Sequence, residues 1–329
     1  MLYQVHGGDF IYSRLFAFEG SYGLVDEKYD GSFVSNEYPS FSIDKERLVP
    51  RFLKFYFQFP EVWRDIAQGS KGVGSRRIRV QPDKVLAHEI PLPSVADQHV
   101  IVSRLDALAE RARQVEAHLV SAERDAEYLL ALRFRDAIAD APLRPLAEVA
   151  PLVRRQVVID PEQSYTELGV RSFYKGTFQR RTVPGSDFSW QDLYRVHVGD
   201  LVFSNIMAWE QAIAIANAED DGCVGNHRML TCEVNAAKAS AGFLWYYFTT
   251  DEGFAKIYAA SPGTAARNRT MTAPALMAVQ VPVPSVAVQV TFDRLQSDVT
   301  ALKVEHSAIR QGNAALMPAT LERVFAGSE

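Results

Sequence analysis

The stretch LYQVHGGDFIYS, residues Leu2–Ser13, decides the architecture, because nearly the same residues return as LYRVHVGDLVFS at Leu193–Ser204. The repeat continues outward at the same offset of 191 residues: FLKFYF at Phe52–Phe57 returns as FLWYYF at Phe243–Phe248, and IPLPSVADQ at Ile90–Gln98 returns as VPVPSVAVQ at Val281–Gln289. A period of this length is too long for a solenoid and indicates duplication of a whole domain with its connecting element. The chain therefore performs one task twice.

Composition bounds the class of protein. With 329 residues and 47% hydrophobic content, the chain can bury substantial cores in two or three domains. Cys223 and Cys232 are the only cysteines, no charged and apolar leader opens the sequence, and no apolar run approaches the roughly 18 residues of a bilayer span. We therefore expect a reducing, cytoplasmic setting and no membrane partner.

Charge and motifs exclude several functions. No cluster has the spacing of a zinc or calcium site, and the loop GSKGVGS at Gly69–Ser75 matches neither a Walker A motif nor a dinucleotide fingerprint. The net charge of -5 is not that of a polycation. If the protein binds nucleic acid, the contacts must be local and specific, or a partner must contribute positive charge.

Each copy follows the same order of elements. A Gly-Asp turn precedes a strand-like run, at Phe10–Phe18 and again at Leu201–Trp209. A proline-rich hinge follows, and Ser94 and Ser285 after the hinges are good N-caps for helices. The predicted segments are residues 1–93, a first domain; 94–142, a long helix; 143–285, a second domain; and 286–329, a second long helix.

The first helix carries the clearest periodicity. Its apolar positions alternate by four and three residues, which is typical of a coiled-coil seam: Ile101, Leu105, Leu108, Ala112, Val115, Leu119, Ala122, Ala126 and Leu129. From Asp97 to Ile138 it would be about 60 Å long at 1.5 Å per residue. A rougher seam follows in the second helix: Leu295, Val299, Leu302, His306, Ile309, Asn313 and Leu316. The short link between helix and second domain favours antiparallel packing.

The polar residues His306 and Asn313 on the second seam allow two interpretations. They lie where the helix pair frays or shifts sideways, or they set the register of the two helices, as buried polar residues in coiled coils can.

Taken together, the sequence resembles the specificity subunit of type I restriction-modification enzymes. In that family two target recognition domains alternate with two long helices, each introduced by a hinge of the form I-P-L-P, a few residues, then Q. The matching residues here are Ile90, Pro91, Leu92, Pro93 and Gln98, and Val281, Pro282, Val283, Pro284 and Gln289. Gly8-Asp9, Gly199-Asp200 and the stretch Glu167–Arg181 also fit, and the likeness covers essentially the whole chain.

The first domain departs from this pattern. The counterpart of residue 143 would lie about 48 residues before Met1 at the offset of 191. We therefore expect the first recognition domain to be incomplete at its N-terminus.

The resemblance implies a fold and a set of partners. It predicts an α+β protein in which two β-rich target recognition domains are joined by two long antiparallel coiled-coil helices, with a pseudo-two-fold internal repeat. Each domain would read one half of a bipartite double-stranded DNA target. The helices would set the gap and dock two methylation subunits, with restriction subunits bound indirectly. Catalysis, S-adenosylmethionine, ATP and Mg would belong to the partner subunits, and this chain would hold no cofactor.

The best DNA-binding candidates are two basic loops at equivalent positions, Ser70–Arg79 and Ser261–Thr270. Arginine can bind guanine bidentately and asparagine can bind adenine, and small residues let backbone amides approach phosphates. The candidate residues are Lys71, Arg76, Arg77 and Arg79 in the first loop, and Arg267, Asn268 and Arg269 in the second. The alternative is that these are solvated loop charges.

A second basic cluster interleaves with aromatic residues: Lys175, Arg180 and Arg181 lie near Phe173, Tyr174 and Phe178. These residues contact DNA, or the aromatic residues are simply strand core. Asn205 and its counterpart Arg14 are further candidates, because side chains that differ between copies can read different bases. His6 and His197 recur with no aligned nucleophile, which favours a structural role in the turn.

The helices that bind partner subunits are marked by seam residues: Ile101, Leu105, Leu108, Leu119, Leu295 and Leu302. The predicted function is non-catalytic, sequence-specific DNA recognition within a type I complex. The alternative is a truncated scaffold that docks methylation subunits but does not read a full bipartite site.

Overall fold

The computed structural model describes residues 2–68, 79–188, 192–263 and 269–326. These residues form two compact units. Unit 1 contains the described residues up to Ala122 and from Val304 onward, and unit 2 contains those from Glu123 to Lys303. Within the described residues, no helix is both long and apolar enough to cross a membrane.

Unit 1 begins with short strands around the Gly-Asp turn: β1 (Leu2–Gln4), β2 (Phe10–Tyr12), β3 (Tyr22–Leu24), β4 (Phe33–Ser35) and β5 (Ser40–Phe41). Strands β3, β2 and β5 form an antiparallel sheet in that order, and β1 pairs with β4. The helices that follow are α1 (Pro50–Tyr56), α2 (Pro60–Ala67), α3 (Pro82–Leu86) and the long α4 (Val95–Ile138).

Unit 2 repeats this order behind an additional N-terminal part. That part contains β6 (Leu143–Pro145), α5 (Leu146–Val149), β7 (Leu152–Val153), β8 (Ser164–Val170) and β9 (Thr177–Pro184). The repeated part contains β10 (Tyr194–Arg195), β11 (Leu201–Ser204), β12 (Ile213–Ile215), β13 (Val224–Gly225), β14 (Met229–Cys232), α6 (Ala241–Thr249), α7 (Asp251–Ala259), α8 (Ala273–Met277) and β15 (Gln280–Pro282). The last helix is α9 (Val286–Phe325), whose residues up to Lys303 belong to unit 2 and whose later residues belong to unit 1.

The sheets of unit 2 are larger than those of unit 1. One runs β12-β11-β14-β7 and another β10-β13-β8-β9, while β15 pairs with β6. The mixed helix and sheet architecture with two long helices confirms the predicted α+β fold. Helix α4 begins directly after Ser94 and α9 directly after Ser285, as the hinge sequences predict.

The duplicated Gly-Asp turn has the same geometry in both units. Gly8 and Gly199 adopt positive φ angles of 87° and 83°, which glycine tolerates best. The carboxylates of Asp9 and Asp200 accept the backbone N–H of His6 and His197 at 2.9 and 2.8 Å. The imidazole Nδ1 atoms of His6 and His197 lie 3.2 Å from carboxylate oxygens of Asp30 and Asp221, which favours the structural role for the two histidines.

A fully buried glutamine fastens each long helix to its own unit. In unit 1, Gln98 Oε1 accepts the Val49 N–H at 2.8 Å, and its Nε2 donates to the carbonyls of Arg47 and Pro93, both at 2.9 Å. In unit 2, Gln289 makes the equivalent bonds with Ser240 (2.9 Å), Lys238 (3.1 Å) and Pro284 (2.8 Å). One amide therefore joins the hinge, the helix and the domain in each copy.

In unit 1, α4 and α9 pack through apolar and polar contacts. Leu105 is buried with Phe52, Leu321 and Phe325. Asn313 donates to the Ala112 carbonyl at 2.9 Å, and Arg310 donates to Glu116 at 3.0 Å. Because these bonds join the two helices and His306 is also buried, the structure favours the interpretation in which polar residues set the register.

In unit 2, the predicted seam of α4 is wrong beyond Leu119. Leu129 is 43% exposed, whereas Leu130 is 7% exposed. An α-helix has 3.6 residues per turn, so apolar residues at a strict spacing of 3.5 gradually rotate away from the facing helix. Three turns take close to eleven residues, so Leu130, eleven residues after Leu119, returns to the same face more closely than Leu129, ten residues after it. The same drift leaves Ile309 and Leu316 of α9 exposed in unit 1, contrary to the predicted second seam.

One half-buried carboxyl makes unit 2 sensitive to pH. Burial raises the pKa of Asp293, the Ser240 hydroxyl offsets part of the rise, and Asp293 Oδ1 has no hydrogen-bond partner among the described residues. The contribution of this group to stability is therefore fully present below its ordinary pKa of 3.8 and lost as pH rises through the folded value.

We expect Asp293→Asn to raise the melting temperature at pH 7, because the amide avoids the cost of burying a charge. The gain should disappear at pH 3, where the parent carboxyl is protonated. Thermal melts at both pH values check this, with Asp298→Asn on the exposed side of α9 as the control. A gain that is equal at pH 3 and pH 7 would contradict the assignment.

Candidate nucleic-acid interface

Much of the two predicted basic loops lies outside the described residues. This holds for Lys71, Arg76 and Arg77 in the first loop and for Arg267 and Asn268 in the second. Their proposed DNA contacts therefore stay predictions.

The described ends of these loops are held by internal contacts. Arg79 forms an ion pair with Glu37 at 3.1 Å. Arg269 donates from Nη1 to the Ser261 carbonyl at 3.0 Å, and its guanidinium carbon lies 4.0 Å from the centroid of the Tyr258 ring. Arg269 thus ties together the two ends of its loop, a role that sequence reasoning did not separate from DNA contact.

The three residues of the second predicted cluster, Lys175, Arg180 and Arg181, have different surroundings on the β8–β9 hairpin. Arg181 donates from Nε to Glu167 at 2.7 Å, and this hydrogen bond raises the pKa of the already basic Arg181. The strand pairing shifts between Glu167 and Leu168, so Arg180 lies at a β-bulge, a feature that redirects a side chain. Lys175 lies 5.8 Å above the ring of Phe173. Lys175 and Arg180 are exposed.

Arg180 borders a groove in unit 2 that the sequence did not predict. The groove encloses about 350 Å³ between the β8–β9 hairpin and the segments that follow β11 and β13. We call it the basic groove and define it by its polar and aromatic lining residues: Arg180, Arg228, Asn226, Ser204 and Phe178. Its acidic lining residue, Glu167, is neutralised by the ion pair with Arg181.

Asn205 follows the groove residue Ser204 in the chain, and its backbone joins two neighbouring segments. Its backbone N–H donates to the Arg228 carbonyl, and its carbonyl accepts the N–H of Met271, both at 2.8 Å. Its side-chain Oδ1 is buried with no hydrogen-bond partner among the described residues. The predicted candidate Asn205 therefore links the strand end after β11 to the loop that carries Arg228.

Sequence reasoning missed Arg228 and Asn226. Both belong to the short polar run Asn226-His227-Arg228 between strands β13 and β14, where the Arg228 N–H donates to Asn226 Oδ1 at 2.9 Å. The feature of the sequence that could have identified them is this polar run between two short buried strands.

The basic groove offers the chemistry of nucleic-acid binding. Two exposed guanidinium groups, an amide and a hydroxyl converge on a concave surface. Arginine binds phosphate oxygens or the paired acceptors of guanine, and asparagine can serve the paired groups of adenine. Among the described residues, no group of three or more metal-ligating side chains is present.

The predicted partner-binding residues on the helices serve packing within the chain. Leu105 and Leu119 are buried, while Ile101, Leu108, Leu295 and Leu302 are half-buried. The exposed apolar side chains of α4 and α9 lie elsewhere, at Val100, Val120, Tyr128, Leu129, Val288, Val290, Val304, Ile309 and Leu316.

Comparison with known proteins identifies the fold. No protein-family model and no curated protein sequence matches the chain. Among solved structures, the HsdS subunit from Thermoanaerobacter tengcongensis is 21% identical with a TM-score of 0.64, over 99% of this chain and 82% of that one. A structure described as the basis of complex assembly and conformational transition of the type I R-M system is 20% identical with a TM-score of 0.68, over 98% and 82% of the two chains.

The architecture is thus a duplicated α+β fold with two long helices, and unit 2 carries a concave surface lined by arginines. It is the fold of the HsdS specificity subunits of type I restriction-modification systems. This agrees with the resemblance that the hinge sequences carry.

Proposed function

We propose that this protein is the DNA-specificity subunit of a type I restriction-modification system, in which the basic groove of unit 2 reads one half of the target. The basic groove carries the proposal, because it places unshielded arginine side chains on a concave surface of a fold that HsdS subunits share. With a net charge of -5, affinity must come from such local contacts and from partner subunits.

The partners follow from the same proposal. Burial of apolar surface drives most protein association, and Val120, Tyr128 and Val304 are exposed apolar side chains of α4 and α9 that a partner can cover. We assign these surfaces to methylation subunits, with two copies per chain because the sequence repeats, and restriction subunits attach through them. Methyl transfer and cleavage, with S-adenosylmethionine, ATP and Mg, belong to the partners.

The test is a double substitution in the basic groove, Arg180→Ala with Arg228→Ala. In complex with its methylation subunit, the variant should lose recognition at one half-site. A lost bidentate contact to guanine costs about 1 to 3 kcal/mol of discrimination, whereas a lost phosphate contact weakens all sequences alike and lowers the salt slope by about one unit. Methylome sequencing and salt-dependent binding separate the two outcomes.

A matched control removes the same charge from another part of unit 2. Arg144→Ala with Lys238→Ala changes a strand residue of β6 and a residue just before α6, neither of which lines the basic groove. This control should keep the parental methylation pattern. If the groove variant also keeps it, the groove does not read DNA.

The alternative is a scaffold that binds methylation subunits without reading a full bipartite site. Under this alternative, the groove variant still forms a complex with the methylation subunit. Recognition of neither half-site then depends on Arg180 or Arg228. Copurification of the methylation subunit with the groove variant therefore distinguishes lost reading from lost assembly.

The helices are the proposed spacer. Within unit 1, Arg310 donates to Glu116 and Asn313 donates to the Ala112 carbonyl, so the facing residues of α4 and α9 run antiparallel. A seven-residue insertion after Ala122, matched by one after Lys303, lengthens each helix by about 10 Å and preserves the heptad phase.

We expect this paired insertion to widen the gap between half-sites by about three base pairs at 3.4 Å per pair. The bases within each half-site should not change. Methylome motifs report both quantities. Altered half-site bases with an unaltered gap would exclude the helices as the spacer.

A further inference from the structure

The tip of the β8–β9 hairpin, residues 172–176, holds two bulky residues in a backbone conformation that such residues rarely adopt. Phe173 and Tyr174 have φ angles of 61° and 55°, in the left-handed region that glycine and asparagine populate far more readily. A conformation of this kind persists only where the surrounding structure enforces it, and such residues are concentrated at functional sites. The hairpin tip is therefore a candidate for a binding role.

Contacts outside the hairpin enforce this conformation. The backbone N–H groups of Phe173 and Tyr174 donate to the carbonyls of Glu210 and Gln211, both at 3.0 Å. The Tyr174 hydroxyl donates to the Phe248 carbonyl at 2.7 Å. These bonds attach the hairpin tip to the body of unit 2, so its position is fixed before any partner binds.

The two aromatic side chains of the hairpin tip have opposite surroundings. Tyr174 packs against a buried cluster of unit 2, and its ring meets that of Trp245 edge-on with the centroids 6.2 Å apart. Phe173 is 59% exposed. A side chain on a rigid tip loses little freedom on binding, because its backbone is already held in place. Tyr174 thus anchors the tip, and Phe173 is the residue available to a partner.

The charge around the Phe173 ring indicates the chemical class of that partner. The segment Arg171–Arg181 contains four basic residues and no acidic residue. Lys175 Nζ lies 5.8 Å from the Phe173 ring centroid, and both Lys175 and Arg171 are exposed. Cations beside an exposed aromatic ring suit a nucleic acid, because its phosphates attract the cations and its bases stack on the ring.

The hairpin tip is also close to the basic groove. Phe178 and Arg180 on β9 line that groove. Ser204 and Ile206 also line it, and they directly precede the turn to which the tip is bonded. Phe178 is five residues from Phe173, which is at most about 18 Å of extended chain, or about five base pairs of DNA. DNA that occupies the groove therefore lies within reach of the tip.

We propose that the Phe173 ring inserts at a base step of double-stranded DNA beside the half-site and stacks on a base there. The proposal rests on the proposed function of the basic groove. A phenyl ring has no hydrogen-bonding group, so it selects a step by how easily the step opens and not by the pattern of its base edges. Pyrimidine–purine steps such as TA and CA open most easily. The hairpin tip thus adds a preference for such a step within about five base pairs of the bases that the groove reads.

The test uses the full chain in complex with its methylation subunit and duplexes that carry the target found by methylome sequencing. 2-Aminopurine, whose fluorescence rises when it leaves the base stack, replaces one adenine at a time in and beside the half-site that depends on Arg180 and Arg228. Fluorescence should rise at one pyrimidine–purine step when the complex binds. Replacing that step with a purine–purine step should weaken binding.

Phe173→Asn removes the ring but suits the left-handed backbone, so the tip should stay folded and the melting temperature should not fall. Binding should weaken by about tenfold or more, the size expected for one base stacked on an aromatic ring, and the fluorescence rise should disappear. Phe173→Trp keeps an aromatic ring and should retain both properties. The control is Val158→Asn, which changes a 94% exposed side chain of unit 2 outside the hairpin and should leave binding unchanged.

Salt dependence separates stacking from phosphate contact. Phe173→Asn removes no charge, so the slope of log affinity against log salt concentration should stay the same. Lys175→Ala should lower that slope by about one unit and weaken binding to all sequences alike. An equally reduced slope for Phe173→Asn would contradict stacking.

The outcomes distinguish this inference from the proposed function. If Arg180→Ala with Arg228→Ala abolishes half-site recognition but fluorescence rises at no position in the parent complex, the groove reads DNA and the insertion of Phe173 is wrong. If the parent complex prefers no DNA sequence, the proposed function fails and this inference fails with it. If Phe173→Asn instead releases the methylation subunit, the ring contacts protein, which also overturns the insertion.

Discussion

Gln289→Leu should lower the free energy of unfolding by about 3 to 5 kcal/mol, because three backbone groups lose at once the hydrogen bonds that one buried amide supplies. The amide of Gln289 bonds to Ser240, Lys238 and Pro284, and the side chain is fully buried. Leucine fills the volume but satisfies none of these groups. Urea unfolding measures the loss.

The matched control is the same substitution one heptad further along α9. Gln296 Oε1 is buried without a hydrogen-bond partner among the described residues, so Gln296→Leu removes an unsatisfied acceptor and should be neutral or stabilising. A loss at Gln296 as large as that at Gln289 would mean that helix packing, and not the amide contacts, decides the result. Gln98→Leu should reproduce the loss in unit 1.

Phe134→Ala should destabilise unit 2 by about 3 to 5 kcal/mol through lost burial and the cavity that remains. The Phe134 ring lies 4.9 Å from Phe243, 4.8 Å from Tyr246 and 5.1 Å from Phe292, measured between ring centroids. These rings connect α4, α6 and α9. Thermal unfolding followed by near-ultraviolet circular dichroism reports this aromatic cluster.

Tyr128→Ala on the same helix is the control for Phe134, because Tyr128 is exposed. It should change stability by less than about 0.5 kcal/mol. If the two substitutions have equal effects, the Phe134 cluster does not anchor α4 to unit 2.

The helical seam shows where a sequence pattern stops predicting contacts. Periodicity correctly placed Leu105 and Leu119 inside the helix pair but chose Leu129 over Leu130, and it did not identify Phe134. Because Leu129 and Leu130 are adjacent, the helical repeat can be continued through either of them. Which one is buried depends on where the facing helix and the domain contact α4. A local pattern contains no information about that approach.

The candidate site divides in a similar way. Arg180 and Asn205 were recognised as candidates in the sequence, but Arg228 and Asn226, which line the same groove as Arg180, were not. These residues come from three separate segments that only the sheet pairing brings together. Arg181 was predicted to contact DNA together with Arg180. The structure shows that Arg181 forms an ion pair with Glu167, whereas Arg180, at the β-bulge, has different surroundings.

The amino-acid sequence by itself determined the duplication, the hinges and the starts of both long helices, because repeats, prolines and N-caps act through local backbone preferences. Tertiary structure alone decided which leucines are buried and which arginines lie at the groove of unit 2. Those properties depend on contacts between residues far apart in the chain. Equivalent residues of the two copies can therefore differ: Leu2 is exposed, whereas Leu193 is buried in a cluster with Tyr165 and Phe188.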